Sequence, residues 1–464
     1  MSGFNKSVAQ PSPFTSEMLN EFRLQGDSLA DDVINAFAGK FNSSIQELAE
    51  KLENMIRMPN DDYVIDSIQE YFPNDESIRE ALENYFSQAT LLPKWLDTEK
   101  LKLGSYVFQD HLFSGIMILG CASLPTTYVC QPDTKVLGFT RRLIDDAPKR
   151  LVETAQMVTD VMGDEGLTVQ NGKLSGKGIQ SILKIRLIHA AVRYMMLHKE
   201  KILDDHQHNN NIDPNNFLLA YVFDSQQQEN SWYGDKKPDA WDMKSDGVPI
   251  NNEALAIILL TFSFTILYGL KKIGVKINKE QRDAYLHTWN IIGYTLGVDE
   301  RFLTEFSSYE NTKIIYTQIL LRRRGFSNDG MLLQQSLLEA FTENAKRLIP
   351  FGRLLHVRRL ARLITSILIP KESYKALGLK LSIYDYIVRF FVWMGIRLFG
   401  FLVNIKLFRP LANYMFGRIA QSLWDWRKEF DNTEQQDQKT AIIKPLLIPY
   451  KLVPASFLSG NYKK

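Results

Sequence analysis

From about residue 16 onward, apolar residues recur at spacings of three and four along most of the chain, and runs that alternate apolar with polar are few. That period suits helices that each bury one stripe, so the expected fold class is all-α. Start and stop signals agree. Asp146 followed by Pro148 opens one helix, Gly178 precedes a second, and Pro249 with Asn251 and Asn252 precedes a third. Gly297 and Gly378 stand where helices should end. Residues 1 to about 15 are expected to be a flexible tail, and the polar stretch from Asp204 to Asp246 a long connection, mobile or acting as a lid.

With 464 residues, 45% hydrophobic and 23% charged, the chain can bury a large core and has the balance of an ordered globular protein. Its 55 basic residues nearly match its 53 acidic ones, so no overall field draws nucleic acid, and none is expected as a partner. Cys121 and Cys130 have no adjacent base and no second pair, which fits inert thiols in a reducing compartment. Met1 to Phe14 lacks the basic start and apolar run of a secretory signal, so a cytoplasmic protein is expected.

Two apolar stretches raise the question of a membrane. Ala254 to Leu270 carries no charge, but it is short for a span, contains Thr261, Ser263 and Thr265, and runs straight into Lys271 and Lys272. A buried core helix is the favoured reading. Phe390 to Ile405 is interrupted by Arg397 and bracketed by Arg389 and Lys406, and its cations point several ways instead of forming one basic face. Burial in the fold or against a partner is expected, with the region from Leu381 to Phe416 as the candidate for peripheral membrane contact.

One helix carries chemistry. From about Gly178 to about Lys199, Ile182, Ile185, His189, Val192 and Met196 share a face, so a lone histidine sits mid-stripe on an apolar surface. Arg186 and Arg193 flank it one turn below and one turn above. Such a set could hold a haem, with the imidazole on iron and the arginines on the propionates. From this helix alone, a core histidine with two arginines in ion pairs is the favoured reading. On the preceding helix, PKRLVETAQMVTDVM, Arg150, Glu153 and Thr154 share a face.

Taken in order, GDSLADDVINAF, LPKWLDTEKLKLG, RLVETAQMVTDVM, RLIHAAVR, WDMKSDGVPINNEAL, YLHTWNIIGYTLGV and IPKESYKALGL resemble the rubber oxygenase and MpaB-type oxygenase family, over residues 20 to about 380. The resemblance implies an all-α, globin-like core holding haem b, spanning residues 16–380, followed by a C-terminal helical extension and tail at 381–464. It implies His189 as proximal iron ligand, Arg186 and Arg193 as propionate partners, and Arg150 with Thr154 as the conserved pair beside the haem. Rubber-cleaving members carry a lysine before that threonine, whereas this chain has Glu153, and CQPDTKVLGFTRRL shows no match for their distal glutamate. The implied function is a haem-dependent oxygenase that uses O2 on an apolar substrate, an isoprenoid or lipid-like alkene shorter than rubber, with Glu153 as a candidate base. The alternative is a haem-free helical scaffold that binds a lipid or partner.

Other signals are set aside. His198, Asp204, Asp205, His206 and His208 could bind metal but read as a solvated loop. His287 is the rival haem ligand and reads as structural, because it lacks flanking arginines. Arg322, Arg323 and Arg324 read as a solvated helix end.

Overall fold

The computed structural model describes residues 12–41, 45–57, 72, 75–140, 147–163, 165–208, 240–348, 356–405 and 408–414. Helices make up nearly all of this, and one hydrophobic core runs through them from Phe14 to Val403. Most of the lid stretch and the C-terminal tail therefore lie outside the described residues, as do residues 1–11. Phe14, read above as part of the tail, is buried against Phe22 and Phe302.

Caps fall where the side chains can supply them. Thr15 accepts from the Met18 amide at the start of Ser16–Arg23, and Asn251 accepts from the Ala254 amide at the start of Asn252–Phe262. Asn278 and Gln281 form a capping box at Lys279–Thr295. Gly297 and Gly378 both take positive φ just past helix ends, as their positions suggested.

The apolar stretch around Ala254–Leu270 lies inside the fold, 83% buried over its most apolar window, as two helices, Asn252–Phe262 and Phe264–Ile273. The break comes at Ser263. There the Thr261 and Ser263 hydroxyls donate back to the Ile258 and Leu259 carbonyls at 2.7 and 2.8 Å, competing with the helix ladder.

A small departure from the all-helical reading joins the two helices of interest. Strands Thr168–Gln170 and Lys173–Ser175 pair antiparallel around Asn171 and Gly172, both at positive φ, the chemistry of a two-residue hairpin. This hairpin links Ala147–Met162 to the histidine helix, Lys177–Leu197. Glycines clamp the joint: a Cβ on Gly178 would lie 2.5 Å from the Gly166 carbonyl oxygen and 2.9 Å from the Val161 Cα. The two helices then pack on one another.

The helix Ile383–Val403 corrects an expectation. It meets the length and hydropathy of a membrane span, yet only 11% of its apolar window is buried. It rests on Val357–Leu368 and Phe264–Ile273 along one side, and its other side is exposed. The basic run is a second correction. Arg323 is buried between Asp133 and Glu253, and Arg322 pairs with Glu253 at 2.8 Å, so this helix end is an internal ion-pair network.

Candidate active site around His189

Three of the segments set apart by sequence meet on the histidine helix. Arg186 donates to both carboxylate oxygens of Asp27, at 2.6 and 2.7 Å, and to the Thr295 carbonyl at 3.0 Å. Arg193 donates to Asp31 and to the carbonyls of Pro249 and Ile250, at 2.9 and 3.0 Å for the last two. Asn252 reaches the Gly26 and Gly297 carbonyls and accepts the Asp299 amide. Glycine makes room for the guanidinium here, since a Cβ on Gly297 would lie 2.7 Å from Asp27 Oδ2 and 2.8 Å from Arg186 Nη2. Two bidentate-capable arginines thus tie the helix to GDSLADD, GVPINNEAL and TLGV, all of which converge from distant positions in the chain.

These ion pairs change what the arginines do. Sequence spacing suggested Arg186 and Arg193 as propionate partners; the geometry commits the carboxylate-matching edge of Arg186 to Asp27 and gives Arg193 to Asp31 and two carbonyls. They act first as struts that fix the height and rotation of His189.

His189 itself is left unspent. Its Nδ1 is buried and has no hydrogen-bond partner. Burial, followed by the repulsion of Arg193, pushes its pKa down to about 4, so the ring is neutral near physiological pH. Along its stripe Ile182 and Val192 are buried, while Ile185, His189 and Met196 keep partial exposure. An accessible apolar stripe with a neutral, unpartnered imidazole meets what a haem requires of its proximal side: a free nitrogen lone pair and cover for a flat apolar ring.

His287 lacks that freedom. Its Nε2 accepts the Asp97 amide at 3.0 Å, and its ring meets Trp95 edge-on at 5.7 Å. Beside it, Thr288 donates to the Leu101 carbonyl, and a Cβ on Gly104 would lie 2.1 Å from Thr288 Oγ1, so LPKWLDTEKLKLG and YLHTWNIIGYTLGV form a structural seam. His198 stacks on Tyr194 and bonds its carbonyl. Among the described residues, no group of three or more His, Cys, Asp or Glu side chains converges as a metal site; the side chains of 205–208 lie outside the described residues.

Sequence reasoning missed one imidazole. His111, at the 81° bend between Thr98–Asp110 and Leu112–Thr127, also has a buried Nδ1 without a partner, and burial pushes its pKa down to about 3. It has no flanking motif, only its place at a helix junction, and a π-helical turn follows at Leu119–Ser123.

On the neighbouring helix, Arg150 pairs with Glu153 one turn on, and Thr154 Oγ1 donates to the Arg150 carbonyl at 2.9 Å. Arg150 lies twelve residues before Met162 and His189 twelve after Lys177, at comparable distances along their helices from the glycine joint. Cys121 and Cys130 are both buried, and burial pushes their thiols up, Cys121 to about 12, which suits inert side chains.

Residues 242–397 match the model of the family described as ER-bound oxygenase mpaB/B'/rubber oxygenase, catalytic domain. Over that third of the chain the sequence is similar to the rubber oxygenase and MpaB-type family. A rubber oxygenase from Streptomyces sp. (strain K30) is 19% identical over 217 residues, which are 46% of this chain and 42% of the relative, so the match spans less than half of that protein. The latex clearing protein LCP in its closed state shares the fold with a TM-score of 0.56 and 16% identity, over 87% of this chain and 90% of that one. The family match covers DMKSDGVPINNEAL and the helix Lys279–Thr295; His189 lies upstream of it.

Proposed function

We propose that this chain is a haem b-dependent oxygenase acting with O2 on an apolar isoprenoid or lipid-like alkene, with His189 as the iron ligand. The observation that carries the reading is the unpartnered, neutral imidazole of His189 on a helix braced by three other segments of the resemblance. Bound haem would supply the activation of dioxygen that no side chain provides. Arg186 and Arg193 hold the ligand helix in register, and their direct contact with a propionate is the further step of the same proposal.

Arg150, Glu153 and Thr154 are proposed to line the reacting side. Glu153 takes the place of the lysine of rubber-cleaving members, so no amine is offered there as a second axial ligand. Arg150 orients its carboxylate, and Glu153 Oε is the proposed acceptor of an allylic proton from the substrate. The Thr154 hydroxyl, bonded back to the Arg150 carbonyl, keeps that turn of helix in place.

The test is oxygen uptake and carbonyl-product formation by the purified protein on a set of isoprenoid alkenes of increasing length. The parent should turn over a short chain, and Glu153→Gln should lower the rate at least tenfold, about 1.4 kcal/mol of barrier, at constant haem content. Equal turnover would remove Glu153 from the chemistry, and a haem-free, inactive protein would favour the non-catalytic lipid-binding scaffold.

A further inference from the structure

The exposed side of Ile383–Val403 is largely apolar, with Arg397 its one charge, and runs the full helix, about 31 Å at 1.5 Å per residue. Tyr384, Tyr386, Phe390, Phe391, Trp393 and Phe401 are each at least 45% exposed, and Ile383 is 87% exposed. At roughly 150–250 Å² per aromatic side chain, these six alone leave on the order of 600 Å² open, the upper end of the largest patch on an ordinary monomer.

Two of the helix's three charged residues, Asp385 and Arg389, face the body, while the third, Arg397, is exposed on the outer side. Asp385 is buried between Arg359 and Arg362 and also closes the capping box with Ser382. Arg389 donates to the Ser366 hydroxyl and carbonyl, and Arg397 reaches back to the Lys272 carbonyl. Asn404 bonds Gly274, and a Cβ on Gly400 would lie 2.1 Å from the Ile273 carbonyl oxygen. The helix is therefore fastened along its length to the body. Crossing a bilayer would drag Arg359, Arg362 and Lys272 into hydrocarbon, a heavy penalty for lipid-exposed charge.

We propose that this face docks flat on an anionic lipid bilayer, as a monotopic helix lying in the interface. Charge complementarity selects that occupant. Cations stand at both ends of the apolar face, exposed Lys380 just before the Ser382 cap and exposed Lys276 beside Asn404, where headgroup phosphates would meet them. Tyr384, Tyr386 and Trp393 are side chains of the kind that settle at the headgroup boundary. A second copy fits less well, because antiparallel two-fold pairing would set like charges against each other at both ends. The proposal stands apart from the haem assignment, since none of these residues belongs to the candidate site.

Flotation of the full chain with vesicles tests it. Phosphatidylcholine vesicles containing phosphatidylserine should carry the protein severalfold better than phosphatidylcholine alone. Phe391→Asp and Phe401→Asp, both at exposed positions, should each cut partitioning at least tenfold while leaving the thermal melt unchanged. A membrane-impermeant maleimide should label Lys380→Cys and Ile405→Cys alike from outside sealed vesicles, with buried Cys121 and Cys130 silent. Labelling of only one of the two would mean a spanning helix and overturn the proposal. Absence of vesicle binding would also overturn it, and a concentration-dependent dimer lost in the same aspartate variants would then assign the face to a second copy.

Discussion

The surroundings of His189 and of His287 offer the same raw material, a histidine on an apolar helix face whose pKa is lowered mainly by burial. They differ in whether the ring is already engaged. His287 accepts a backbone amide and braces a helix seam, while His189 has a buried nitrogen with no partner although its helix is among the most heavily braced in the molecule. Burial therefore does not distinguish a ligand from a strut. The unused nitrogen on a braced helix is what sets His189 apart from His287.

The largest effect should come from the support. Arg186→Ala leaves the Asp27 carboxylate buried and unpaired, and should destabilise the fold by about 3–5 kcal/mol in a urea melt. A loss under 1 kcal/mol would mean that the frame does not hold the helix.

Next is the pH dependence that separates the two rings. His189 keeps a folded-state pKa of about 4 against an ordinary 6.5, so the unfolded chain takes the proton first. Stability should thus fall as pH drops from about 6.5 to about 4, with His111 contributing in the same direction. In the haem-free protein His189→Gln should flatten that slope by about 2–3 kcal/mol across the window. An unchanged slope would place His189 in contact with water.

A smaller effect is expected at the engaged histidine. His287→Ala strands the Asp97 amide and should cost about 1–3 kcal/mol in stability while leaving haem content intact. Haem loss in this variant would exchange the roles of the two rings.

What the sequence made legible was local. Periodicity marked the helices, Asn251 and Gly297 marked a start and an end, and the spacing around His189 marked the face of the candidate site. Ion-pair partners were not legible, because Arg186 meets Asp27 across 159 residues, and Arg323 meets Asp133 across 190, with no local pattern linking them. The three-residue strands were too short for alternation to show, although Asn171-Gly172 was a readable turn signal. The surface placement of Ile383–Val403 depended on the long-range contacts that absorb its charges. By composition alone it resembles the buried segment Asn252–Ile273.

The assignment of His189 is tested most directly by the visible absorption spectrum of the purified protein beside its three single-histidine variants. A Soret band should be present in the parent, in His287→Ala and in His111→Ala, and absent from folded His189→Ala, as judged by circular dichroism. A Soret band of parental strength in His189→Ala, or its loss only in His111→Ala, would contradict the account and move the iron ligand elsewhere.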